Sequence, residues 1–249
     1  MLDRSAFLRP IAHRGLHDAS RGRVENTAPA FAAALARGYG IECDLRPARD
    51  GTPMVFHDDR LDRLTEGCGP LAAFDSHDLK KIRYRDGAAR MLTFGELLEM
   101  VAGTVPLLVD VKSEWQATDR GFLKPIAALA ASYKGPLGLM SLDPAAMIAL
   151  RGLAPHVPRG IIARLYQGDG WWRGLLDEQR AYRLSHLLES GPAEPSFFAY
   201  HVQSLPTPVT QFAREVMRIA LFAWPVCTED DRRRAADWAD APIFEGFEP

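Results

Sequence analysis

A closed (β/α)8 barrel, the TIM barrel of the α/β class, with a small insertion after its second strand, is the fold this sequence predicts. Short apolar runs alternate with stretches of helical periodicity along the whole chain, as repeated βαβ units do. Eight runs of this kind can be counted, the number a closed barrel needs, and 249 residues is close to the usual length of one. One long polar, glycine-rich stretch, 59–93, breaks the alternation and marks the insertion.

The first strand is expected at Pro10–His13. A helix follows from an Asn26/Thr27 cap, with Pro29 in its first turn and Phe31, Ala34, Leu35 and Gly38 at helical spacing. Ile41–Leu45 is the second strand, and Met54–His57 is extended before the insertion begins. Leu107–Val111 and Leu137–Ser141 are the next strands; Asp143-Pro144 then caps a helix carrying Met147, Ile148 and Leu150. After the strand Gly160–Ala163, the stretch 166–196 exceeds what a minimal barrel requires. It holds Trp171-Trp172 and an arginine-rich helical pattern over Asp177–Leu188. Phe197–His201 is the sixth strand, and Thr207-Pro208 opens a helix whose apolar face includes Phe212 and Val216. Leu221–Trp224 comes next, then a helix with Trp238 opened by Thr228 and Asp231, a relative of the capping box, and last the strand Pro242–Phe244. No repeat or interdomain linker divides the chain, so a single barrel over 1–249 is expected.

Bulk properties narrow the function. Hydrophobic residues at 47% and charged residues at 25% are those of a soluble globular protein. A formal charge of −2 supplies no field that would gather nucleic acid or an anionic membrane, so an anionic ligand must be held by local charges. The first ten residues carry Asp3, Arg4 and Arg9 and lack the apolar stretch of a leader. No run of about 18 apolar residues, the length of a membrane span, occurs. Cys43, Cys68 and Cys227 are odd in number and form no CxxC, which argues against a disulfide framework or a zinc site. A cytoplasmic protein with reduced thiols is expected.

The chemistry is concentrated between Ile11 and Asp58: His13-Arg14-Gly15, Glu25-Asn26-Thr27, Glu42-Cys43-Asp44, Asp50-Gly51 and His57-Asp58. Residues i and i+2 of a strand share a face, so Glu42 and Asp44 converge while Cys43 points away. Two such carboxylates repel, and in a semi-buried site one takes up a proton unless a cation neutralises the pair. Asp110 and Lys112 repeat the spacing on another strand. Imidazoles, which titrate near pH ~6.5, suit His13 and His57 to proton transfer at neutral pH.

The order and gaps of these motifs resemble the glycerophosphodiester phosphodiesterase family, closely up to Asp58 and more faintly almost to the C-terminus. The resemblance implies a barrel whose insertion forms a small subdomain beside the mouth. It implies hydrolysis of glycerophosphodiesters to glycerol 3-phosphate and an alcohol, through attack of the glycerol 2-hydroxyl and a cyclic phosphate that water opens. Carried onto this sequence, Glu42, Asp44 and Asp110 hold one divalent metal ion, Asp110 standing where the family usually has the longer Glu. These hard oxygen donors suit Ca2+, Mg2+ or Mn2+ better than zinc. Arg14 and Lys112 bind the substrate phosphate, His13 acts as base and His57 as acid. Three carboxylates and a phosphodiester are then balanced by the cation, Arg14 and Lys112.

Other residues have blander readings. His17, His77, His156, His186 and His201 are structural or exposed, with a supporting role conceivable only for His17. Trp171, Trp172 and Trp224 invite a choline cage, but packing is the commoner fate of tryptophan and they are left out of the site. Glu25 and Asn26 cap and brace. Departures from the family are Val24, Leu64 and the ending Pro242-Ile243-Phe244-Glu245-Gly246, which lacks the usual threonine-aspartate and is expected to alter the mouth without touching the catalytic set. One rival function uses the same residues, phospholipase D-like cleavage of lysophospholipids. A rival of a different class is a non-catalytic barrel that binds phosphorylated ligands, which loss of His13 or His57 would have suggested.

Overall fold

A computed structural model describes residues 2–115 and 119–249. Its strands are β1 (Ile11–Ala12), β2 (Gly40–Pro47), β3 (Pro53–Val55), β4 (Leu107–Val111), β5 (Leu137–Ser141), β6 (Arg159–Ala163), β7 (Phe197–His201), β8 (Ala220–Val226) and β9 (Ala241–Phe244). Eight of them run parallel in the order β1-β9-β8-β7-β6-β5-β4-β2, and β1 pairs with β2 to close the barrel. β3 stands outside this ring, antiparallel on β2 through Leu45↔Val55.

Period-2 alternation sorts the strand residues into two cores. Ile11, Leu108, Met140, Ile162, Phe197, Phe222 and Ile243 fill the barrel interior, joined by Leu2 and Phe7 from the turn that precedes β1. Ile41, Cys43, Leu45, Val109 and Val111 face the helices instead, against Phe31, Phe94, Leu97 and Ile126. The interior is narrow, and glycine makes room in it. A Cβ on Gly160 would lie 2.2 Å from the ring of Phe197, and one on Gly138 would lie 3.0 Å from it. Gly160→Ala is therefore expected to destabilise the fold by about 1–3 kcal/mol. A urea midpoint unchanged from the parent would show that the ring moves aside freely.

The insertion shares an apolar cluster with the segments before it: Leu61, Leu71, Leu79 and Tyr84 pack with Val24, Met54 and Phe56. It interrupts the connection from β2 to the helix Phe94–Val101, whose capping box is formed by Thr93 and Glu96. A smaller cluster of Tyr166, Trp172, Ala181 and Leu184 anchors the other long stretch, with the helix Glu178–Ser185 inside it.

Two local expectations are corrected. Thr27 occupies the cap position of the helix Ala28–Arg37, but its hydroxyl donates to the Val24 carbonyl, and the Asn26 side chain is drawn away to Asp44. The helix opened by Thr207 is a single turn, Pro208–Gln211, which widens into a π turn over Phe212–Val216. Phe212 and Val216 are consequently exposed rather than packed. Among the described residues no helix is long and apolar enough to cross a membrane.

Candidate active site

The C-terminal ends of the strands carry the polar residues that the barrel turns inward. Glu42 and Asp44 on β2 face inward, opposite in sense to Cys43, and the β2–β4 register sets Asp44 beside Asp110. Carboxylate oxygens of Glu42, Asp44 and Asp110 lie within 4.8 Å of one another, and all three residues are buried. Lys112, two residues past Asp110, places its Nζ 2.7 Å from Asp44 and 2.5 Å from Asp110. Asn26 braces the group: its Nδ2 donates to Asp44 at 2.8 Å and its Oδ1 accepts from the Asp44 amide at 3.2 Å.

Arg14 joins through a tight turn. It sits at φ +55° and is followed by Gly15 at φ +78°, a left-handed pair that a non-glycine residue rarely enters. The turn points the Arg14 amide at Glu42, which accepts at 2.9 Å. Its guanidinium lies 3.4 Å from Asp44 and donates to Glu25 at 2.7 Å.

Each candidate proton-transfer histidine is oriented by a carboxylate. His13 Nδ1 is 2.6 Å from Glu245 Oε2, and Nε2 lies 3.9 Å from Glu42. His57 Nδ1 is 2.7 Å from Asp58. With both Nδ1 positions engaged as donors, the Nε2 atoms are left for chemistry. Arg63 from the insertion grips Asp58 at 2.6 Å and Glu25 at 2.8 Å, and Glu25 in turn grips Arg14. A continuous chain of ion pairs thus runs from His57 to Arg14.

Burial sets the electrostatics. It pushes the Glu42 carboxyl well above its usual range, and the negative neighbours Asp44 and Asp110 add to the rise. Burial would raise Asp44 too, but the surrounding Lys112, His57, Arg14 and His13 charges outweigh it and hold that group well below the ordinary carboxylate value. The Lys112 ammonium is desolvated, yet Asp110 and Asp44 keep it above the ordinary lysine value. His13 is pulled down by desolvation despite its bond to Glu245. Glu245 is lowered by the hydrogen bonds from His13 and His17.

These residues fit a hard divalent cation. Three buried carboxylates converge, one of them resists ionisation without a positive neighbour, and Asp110 Oδ1 is buried with no hydrogen-bond partner.

His13, Arg14, Glu42, Asp44, His57, Asp110 and Lys112 all line one cavity of about 300 Å³. All seven residues expected at the site are therefore brought together. Sequence reasoning missed others. Glu245 does reach the candidate site, so the unusual C-terminal ending is not neutral: it supplies the partner of His13. The signal was available, because Glu245 follows inward-facing Ile243 by two residues, as Asp44 follows Glu42. His17 lies 3.4 Å from the same carboxylate. Trp171 and Trp224, set aside as packing residues, line the cavity with Trp115, while Trp172 is buried as expected.

Known proteins resemble this chain in sequence and in fold. The model of the Glycerophosphoryl diester phosphodiesterase family matches residues 13–244. A Mycobacterium tuberculosis protein named "Probable glycerophosphodiester phosphodiesterase 1" is 28% identical over 177 residues, 62% of this chain and 64% of that one. The chain thus spans under two thirds of that relative's length. A glycerophosphodiester phosphodiesterase of Caldanaerobacter subterraneus is 28% identical over 186 residues, covering 70% of this chain and 73% of its own. Among solved structures, the Oleispira antarctica phosphodiesterase in complex with the product sn-glycerol-3-phosphate superimposes with a TM-score of 0.72 at 20% identity, over 95% of this chain and 92% of that one. That likeness supports the barrel. The family match begins at His13 itself and runs to the end of the last strand, and on that extent the chain belongs to the glycerophosphoryl diester phosphodiesterase family.

Proposed function

We propose that this chain hydrolyses glycerophosphodiesters to glycerol 3-phosphate and an alcohol, with one divalent cation and two histidines acting in general acid–base catalysis. The observation that carries the reading is the pairing of two carboxylate-oriented imidazoles with a buried acidic triad in one cavity. Glu42, Asp44 and Asp110 would hold the ion, with Ca2+, Mg2+ and Mn2+ all suited to their oxygens. When bound, it supplies Lewis-acid polarisation of the phosphoryl oxygen and of the attacking hydroxyl.

The chain's own groups do the rest. Arg14 and Lys112 hold the non-bridging oxygens of the phosphodiester. His13 Nε2 takes the proton of the glycerol 2-hydroxyl as that oxygen bonds to phosphorus, and His57 Nε2 protonates the alcohol oxygen as its bond to phosphorus breaks. Water then opens the cyclic phosphate with the roles reversed: His57 accepts its proton and His13 returns one to the glycerol 2-oxygen. Glycerol 3-phosphate is also the product named for the Oleispira structure.

A cavity of about 300 Å³ suits a deacylated substrate, whereas the acyl chain of a lysophospholipid would have to leave it across half-exposed Trp171. We therefore place lysophospholipid cleavage second. We also assign the protein to a reducing compartment such as the cytoplasm, because Cys43, Cys68 and Cys227 are all free thiols. The test is incubation with glycerophosphocholine and glycerophosphoethanolamine under each of the three cations, with and without chelator. Release of glycerol 3-phosphate that stops on chelation is expected. Tight binding of these compounds without turnover under any cation would favour a non-catalytic binding barrel.

A further inference from the structure

One cation in the cavity wall has no counterpart. Arg14, Arg46 and Lys112 each meet a carboxylate, through Glu25, Glu114 and Asp110 at 2.7, 2.6 and 2.5 Å. Arg164 lines the same cavity and, among the described residues, makes neither an ion pair nor a hydrogen bond; its Nε is buried without a partner. Its position follows from the strand: Ile162 of β6 packs in the barrel interior, so the residue two further on faces inward at the mouth. In the closed ring β6 lies opposite β1, so Arg164 stands across the cavity from His13 and Arg14.

The guanidinium is also held ready. Its carbon rests 4.5 Å above the ring of Trp172, which is buried in the Tyr166 cluster. That stacking fixes the plane and leaves the edge of the fork for a ligand. A partly desolvated guanidinium without an anion is costly, and burial does pull its pKa below the ordinary arginine value. The same contact bears on the head group. Trp172 is buried and carries Arg164 on its face, and Trp115, which lines the cavity, carries Arg180 at 5.4 Å. A second cation on this side would meet like charge.

We propose that Arg164 selects the alcohol, favouring a glycerophosphodiester whose head group carries a carboxylate over one that carries only an ammonium group. This rests on the phosphodiesterase reading given above. A carboxylate matches the fork bidentately, and it is the smaller of the anions that could share about 300 Å³ with a phosphodiester. Glycerol is neutral, so of the two esterified alcohols only the variable one can respond to this charge.

Glycerophosphoserine and glycerophosphoethanolamine form a matched pair, differing by one carboxylate. The expected kcat/KM ratio of serine to ethanolamine substrate is about ten- to a hundredfold, the worth of a charge-assisted hydrogen bond. In Arg164→Gln the ratio falls to near one, and in Arg164→Lys, which keeps the charge but not the fork, it is intermediate. Calorimetric binding of both compounds to the His57→Ala protein reads the same preference without turnover. A ratio near one in the parent protein overturns the assignment, as does a ratio that Arg164→Gln leaves unchanged. A binding preference that depends on Arg164 in a protein that hydrolyses neither compound would sink the hydrolase reading and leave this one standing.

Discussion

His57→Ala and His13→Ala are each expected to lower kcat for glycerophosphodiester hydrolysis by about 100- to 10,000-fold, the usual worth of a positioned proton-transfer group. Neither residue belongs to an apolar core cluster, so thermal unfolding should stay near that of the parent. The two variants differ in what surrounds the lost ring. Removing His57 leaves Asp58 still held by Arg63. Removing His13 leaves Glu245 with the longer contact to His17 and a thiol donor from Cys227 at 3.4 Å. Glu245→Gln is expected to act through His13 and to lower kcat more than it raises KM, because the side chain orients the ring rather than the substrate. Steady-state kinetics on purified, folded variants checks all three. Turnover within twofold of the parent in both alanine variants would remove imidazole from the mechanism.

Saturation with a divalent cation is expected to stabilise the protein by about 2.7 kcal/mol at one hundred times the dissociation constant. The free energy comes from ending the repulsion among three buried carboxylates, which Lys112 and Arg14 relieve only in part. Glu42→Gln and Asp110→Asn should each abolish most of this shift. Without metal Glu42→Gln should be about as stable as the parent, because burial already holds that carboxyl well above its usual range. Asp110→Asn instead takes a partner from the desolvated Lys112 ammonium and should be less stable. Thermal or urea unfolding with and without Ca2+, Mg2+ or Mn2+ reads both effects, and isothermal titration gives the stoichiometry. An equal shift in parent and variants would place the ion elsewhere.

The contrast between Asp110 and Glu245 shows where sequence reasoning reaches and where it stops. Asp110 stands at an i, i+2 spacing with Lys112 on a strand whose apolar residues were unmistakable. Glu245 has the same inward phase, and that local signal gives the direction of its side chain. It follows a four-residue strand and replaces a familiar ending, however, and its partner, His13, lies at the end of another strand. Arg63 lies in an insertion without strong periodicity, and Arg164 sits one residue past a strand, where a charge usually means solvent. Thr27 looked like a cap by residue type; its hydroxyl found the nearer Val24 carbonyl.

What the amino-acid order determined alone is the set of eight barrel strands, and with it the inward phase of Glu42, Asp44, Asp110 and Lys112. Those properties follow from alternation along a single strand, a local and regular signal. Tertiary structure decided the pairings between distant segments. The β2–β4 register sets Asp44 beside Asp110, closure of β9 on β1 brings Glu245 to His13 across 232 positions, and the insertion carries Arg63 to Glu25. Such contacts depend on how whole elements pack, and no period within one element encodes which side chain waits on the other.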